Sequence, residues 1–174
     1  MFEENLYRPV GRVSLWFAEL ETQLTDLLHV LTQCSLDVAH ILVEPLSISQ
    51  KLDTLKAFIA YRRDKGDLSE THEKELSSLL GHVNELLGPR NTLIHGMILK
   101  SNQGNLFACF TGRPPRLNET FPATADAINE LADKLEQAAT RTCHLLLEVQ
   151  GYQGTPPDDI TLPIVARQRK TRTY

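Results

Sequence analysis

The chain has 174 residues, of which 41% are hydrophobic, and a formal net charge of −4. That length suits one domain with a tail. No apolar run approaches the roughly 20 residues that span a bilayer, so an integral membrane protein is not expected, and the acidic start without an apolar core argues for a soluble cytoplasmic protein rather than a secreted one.

The charge is uneven. Four of the 18 basic residues (Arg167, Arg169, Lys170 and Arg172) lie in the last ten positions, leaving 14 basic against 22 acidic side chains in the first 164, a balance of −8. Phosphate binding over a broad surface is driven by Lys and Arg, so an acidic body argues against a wide nucleic-acid groove and leaves room only for a small, locally basic site. The three cysteines, Cys34, Cys109 and Cys143, are far apart and form no CxxC pair, so neither a disulfide framework nor a zinc site is expected. No metal-type histidine spacing or glycine-rich phosphate loop is present, and no cofactor is expected.

In chain order, the first element is the clearest. Val10, Val13, Phe17, Leu20, Leu24, Leu27, Leu31 and Cys34 recur at alternating steps of three and four, which places them on one face of a helix of about seven turns; Trp16 and Leu28 widen the stripe. Ser35 offers an N-cap for a short helix over Leu36 to Val43 that stops at Pro45. Ser47 or Ser49 caps a third segment with Leu52, Leu55, Phe58 and Ile59 on one side. The charged run Arg62-Arg63-Asp64-Lys65-Gly66-Asp67 reads as a solvated turn.

The next helix starts near Ser69, with a stripe through Leu76, Leu80, Val83, Leu87, Arg90 and Ile94. Arg90 stands where an apolar residue belongs, and a guanidinium on a buried face is costly unless paired or functional. Gly88-Pro89 interrupts the pattern. Either the helix kinks there or a new one begins with Pro89 in its first turn. Past Gly96, residues 97–100 and 105–110 read as a small hairpin and 111–116 as loop, in which Arg113 and Arg116 are candidate contacts for a phosphate backbone, though a solvated loop suits them better. A last long helix is expected from about Pro122 to Gln150, ending at Gly151. The fold class is therefore all-α: a bundle of four to five helices with a small β-hairpin inserted before the last long helix. The domain spans 1–151, followed by a weakly structured basic tail over 152–174.

The chemistry concentrates in Arg90-Asn91-Thr92-Leu93-Ile94-His95-Gly96. Arginine offers fixed charge and a planar fork of donors; histidine titrates near neutral pH and moves protons. The spacing alone is weak, since about one Arg–His pair with four to six intervening residues is expected by chance. The context adds weight: Asn91 follows the arginine, Gly96 follows the histidine, and the segment is amphipathic. A purely structural reading competes, in which His95 and Gly96 form a helix C-terminus with a left-handed glycine cap and Arg90 pairs with Glu19 or Glu21. His29, His40, His72, His82 and His144 are scattered and read as ordinary helix residues.

The string Arg-Asn-x-x-x-His-Gly, within this helical plan, resembles the HEPN superfamily of small all-α domains found in many prokaryotic toxins and defence proteins. The resemblance covers the plan from about Val10 to Gln150, and its specific part is seven residues. It implies a homodimer whose motifs face each other across the seam, metal-independent cleavage of RNA through 2′-hydroxyl attack, Arg90, Asn91 and His95 as catalytic residues, and an antitoxin or other partner protein. The alternative within the same family is a non-catalytic dimerisation or adaptor module.

Overall fold

The computed structural model describes residues 4–110 and 116–151. The tail over 152–174 and Arg113 lie outside the described residues, and only the backbone of Arg116 is described. A short 3₁₀ turn (Glu4–Leu6) leads into α1 (Tyr7–Thr32), α2 (Leu36–Val43), α3 (Ile48–Lys65) and α4 (Glu70–His95); strands β1 (Met97–Lys100), β2 (Leu106–Phe110) and β3 (Arg116–Pro122) precede α5 (Ala125–Val149). The chain is thus a helical bundle with a small antiparallel sheet inserted before its last helix. Among the described residues, no helix is long and apolar enough to cross a membrane.

The central helix is α1. Val13, Leu20, Leu24, Leu27 and Leu28 are fully buried, and the core continues through Leu52 and Leu55 of α3, Leu76, Leu79, Leu80 and Val83 of α4, and Ile128 and Leu135 of α5. Cross-links fix the helix directions. Lys51 meets Glu21, and Arg62 meets the Leu31 carbonyl, so α3 runs alongside α1 in the same sense. α4 runs against α5, with Glu75 beside Arg141 and His72 beside Glu148. Arg12 fastens the N-terminal half of α1 to α5 through Asn129 and Asp133 at 3.0 and 2.7 Å.

Of the expected caps, Ser47 and Ser69 form, and Thr124 adds one that was not expected. Ser47 forms a capping box with Gln50, Ser69 accepts from the His72 N–H at 3.1 Å, and Thr124 accepts from the Ala127 N–H at 3.2 Å. Four expectations need correction. Cys34 lies beyond the end of α1 and is half-buried, so the stripe closes at Leu31.

Second, the charged run Arg62–Asp67 is exposed from Arg63 onward as expected, but it is mostly helix and its first residue is buried. α3 continues to Lys65, Gly66 supplies the left-handed cap (φ +76°), and Arg62 is only 8% exposed. Its Nε donates to the Leu31 carbonyl at 2.8 Å and its Nη1 to Asp67 at 2.9 Å. The guanidinium therefore satisfies a carbonyl in the last turn of α1, which has no helical partner of its own. Arg62→Ala is expected to cost about 2 kcal/mol in chemical denaturation, since a buried acceptor loses a charged donor.

Third, the α4 stripe does not continue through Arg90 and Ile94, although a single helix runs through Gly88-Pro89 rather than a new one starting there. Proline removes one helical hydrogen bond, but Leu86 and Leu87 before it and Thr92 and Leu93 after it are all buried. That burial holds both halves against the core, as tertiary packing commonly outweighs local propensity. Past the proline the buried positions are Thr92 and Leu93, with Ile94 only half-buried.

Fourth, the hairpin gains a third strand. The sheet has the order β1-β2-β3, with Met97 opposite Cys109, and Ala108 opposite Phe121. Residues 116–122 pair with β2 instead of forming loop and helix start. Thr120 and Phe121 favour extended backbone, and Thr124 delays the helix until Ala125.

Candidate functional site

The site lies on the last two turns of α4, where the helix passes Phe17 of α1. Arg90 is half-buried, and its guanidinium carbon sits 3.8 Å from the centroid of the Phe17 ring. Nη1 reaches the Asn91 Oδ1 at 2.9 Å and the His95 Nε2 at 3.1 Å. Nε is buried without a hydrogen-bond partner. A guanidinium only donates, so the His95 Nε2 is the acceptor in this contact. Arg90 is thus the hub that joins the other two motif residues. Among the described residues Asn91 makes no direct hydrogen bond to the imidazole; the two are joined through the arginine.

Burial lowers the Arg90 guanidinium from its ordinary value, and the negative charge of Glu21 opposes that shift. Neither acid proposed to neutralise it does so by contact. The Glu21 Oε1 is taken by the Lys51 Nζ at 3.0 Å, and the Glu19 Oε1 by the Gln23 Nε2 at 2.9 Å. Among the described residues no carboxylate lies within ion-pairing distance of Arg90. A half-buried cation with its charge uncompensated by direct contact is expensive to keep, and it is suited to receiving an anion from outside. His95 is exposed at the end of the helix.

Gly96 turns the chain from α4 into β1. Its backbone is extended (φ −81°, ψ 171°) rather than left-handed, which corrects the cap expected there. Glycine is needed for a different reason. A β-carbon would run into the Thr92 carbonyl oxygen and lie 2.6 Å from the carbonyl oxygen of Cys109 on β2. The close approach of helix end and sheet therefore fixes where His95 stands.

The remaining candidates stay apart from this site. His72 and His82 face Glu148 and Glu85 at 3.9 and 4.0 Å. Burial, together with the charge of Glu19, raises the Cys143 thiol above its ordinary value, which disfavours a reactive thiolate. Among the described residues no group of three or more His, Cys, Asp and Glu is placed to hold a metal ion. The residue that sequence reasoning missed is Phe17. Its place in the α1 stripe marked it as core, and only the packing of α4 against α1 brings it under the guanidinium.

Comparison of the chain with protein-family models, with curated proteins and with solved structures finds no match.

Proposed function

We propose that this chain is a HEPN-like, metal-independent endoribonuclease of the toxin or defence-effector type, acting in the cytoplasm as a homodimer through Arg90, Asn91 and His95. The observation that supports it most is the half-buried Arg90, free of any carboxylate contact among the described residues and joined to His95. In this reading a non-bridging phosphate oxygen engages the guanidinium, which stabilises the charge that builds at phosphorus. That oxygen competes for Nη1 and frees the His95 Nε2. The imidazole then takes the proton of the adjacent 2′-hydroxyl. The 2′-oxygen bonds to phosphorus as the bond to the 5′-oxygen breaks, and the departing oxygen is protonated by the partner's copy of the site or by water. The products are a 2′,3′-cyclic phosphate and a 5′-hydroxyl. DNA, lacking the 2′-hydroxyl, is not a substrate.

The test is incubation of the pure protein with mixed RNA in excess EDTA, with analysis of product ends. Cyclic phosphate ends from the wild type, and none from Arg90→Ala, are expected. Cleavage that persists in Arg90→Ala, or that needs added metal, overturns the reading.

A second reading, a non-catalytic dimerisation or adaptor module, draws on α2, where Val38, Ile41 and Leu42 are exposed at 43, 73 and 62%. Exposed apolar clusters of this kind mark interaction surfaces. It predicts a stable complex and no RNA turnover.

A further inference from the structure

We infer that Phe17 is the positioning residue for Arg90: its ring holds the guanidinium in the plane from which Nη1 reaches His95 and an incoming phosphate. This rests on the reading of Arg90 as the phosphate-binding group.

Three observations converge on it. The guanidinium carbon is 3.8 Å above the ring centroid, well inside the roughly 6 Å over which a cation is held by an aromatic face. The ring is 6% exposed, so the attraction acts with little competition from water. The ring is also a contact that leaves the Nη1 bonds to Asn91 and His95 in place.

The second observation is how the donors are spent. Nε is buried with no partner, while Nη1 serves Asn91 and His95. An orphaned buried donor costs free energy. The side chain keeps this pose although the negative charge of Glu21 acts on it. Two features of α1 keep it from pairing with that acid: the ring against the guanidinium, and the occupation of the Glu21 Oε1 by Lys51.

The third is that Lys51 itself is only 4% exposed, with its Nζ 3.0 Å from the Glu21 carboxylate. A buried ammonium without its carboxylate is strongly disfavoured, so Glu21 is held by a partner that cannot easily release it. α1 therefore presents Arg90 with an aromatic face at Phe17 and an already engaged acid one turn further on. A phenylalanine serving the core alone would need neither the stack nor the occupied acid.

The test compares three forms of the full chain: Phe17→Leu, Phe17→Tyr, and Phe17 replaced by 3,4,5-trifluorophenylalanine, which keeps the ring's shape but withdraws electron density from its face. RNA cleavage is measured as kcat and KM, and the Arg90 Nε and His95 ring nitrogens are followed by nitrogen NMR. Phe17→Leu is expected to lower kcat about tenfold with KM changed less than about threefold. The trifluorinated ring is expected to give an intermediate loss, and Phe17→Tyr to stay within about twofold of wild type. The His95 Nε2 resonance is expected to move in the first and third forms as its hydrogen bond from Arg90 weakens. Unmoved Arg90 and His95 resonances in both of those forms overturn the inference, as does an unchanged kcat for the trifluorinated protein. If Phe17→Leu does not fold, the trifluorinated form carries the test. If the wild type cleaves no RNA, the nuclease reading fails by itself, and the NMR alone then decides whether Phe17 orients Arg90.

Discussion

Replacing His95 with alanine is expected to lower RNA cleavage by about 10²- to 10⁴-fold, the range typical of losing a general acid or base, while leaving the fold intact. The second half of that statement follows from position. His95 is exposed, ends α4, and has its hydrogen-bonded contact with Arg90 Nη1 at 3.1 Å. Its removal opens no cavity in the core, and exposed substitutions usually stay within about 0.5 kcal/mol. Arg90→Ala is a less clean experiment, because it also strips the cation from the Phe17 ring and changes packing between α1 and α4. His95→Gln sharpens the interpretation. Glutamine can still accept the hydrogen bond from Arg90 but cannot carry a proton at neutral pH. Inactive Gln and Ala variants with wild-type melting curves assign proton transfer to the imidazole. An active Gln variant reassigns His95 to positioning, and an active Ala variant removes it from the reaction. Single-turnover cleavage with saturating protein, beside thermal melts, reads all three outcomes.

How far this site could be read from the chain depends on the range of the forces involved. Helix starts were legible because capping is local: Ser47 and Ser69 stand immediately before α3 and α4 and satisfy N–H groups within one turn. The apolar stripe of α1 was legible for the same reason, whereas the α4 stripe read through Arg90 and Ile94 passes instead through Thr92 and Leu93, with Arg90 half-buried beside it. What escaped was set by partners distant in sequence. Arg62 lies in a run of charge that looks solvated, yet it answers a carbonyl at Leu31, thirty-one positions earlier. β3 needed β2 as a template, and its own composition was too mixed to announce a strand. Continuity through Pro89 is decided by the burial of Leu86, Leu87, Thr92 and Leu93, which outweighs a locally strong breaker. Phe17 read only as core from sequence, and its place under the guanidinium comes from the packing of α4 against α1. Gly96 was marked as special for a conformation it does not adopt; the constraint comes from β2.

That constraint yields the largest expected effect on stability. Gly96→Ala is expected to destabilise the protein by about 3 kcal/mol, at the upper end of the usual cost of overpacking, and to lower the melting temperature by roughly 6–12 °C for a chain of this size. The dihedral angles are not the cause, since φ −81° and ψ 171° suit any residue. The cause is that the added methyl meets backbone on two sides: the Thr92 carbonyl in the last turn of α4 and the Cys109 carbonyl on β2. Neither can rotate away as a flexible side chain would. The Thr92 carbonyl also accepts the Gly96 N–H at 3.0 Å, and Met97 is held opposite Cys109 in the sheet. Relief therefore requires β1 and β2 to shift from the end of the helix, carrying His95 with them, and RNA cleavage is expected to fall along with stability. Gly81→Ala is the matched control. It lies in the same helix, is exposed, and a methyl group there would have nothing within 4 Å; it is expected to stabilise by about 0.5–1 kcal/mol through helix propensity. Denaturant unfolding of the two variants gives opposite signs if contact with the sheet is what reserves position 96 for glycine. Equal, small effects would mean that the helix end and β2 are not held in close contact, and the placement of His95 would lose its structural basis.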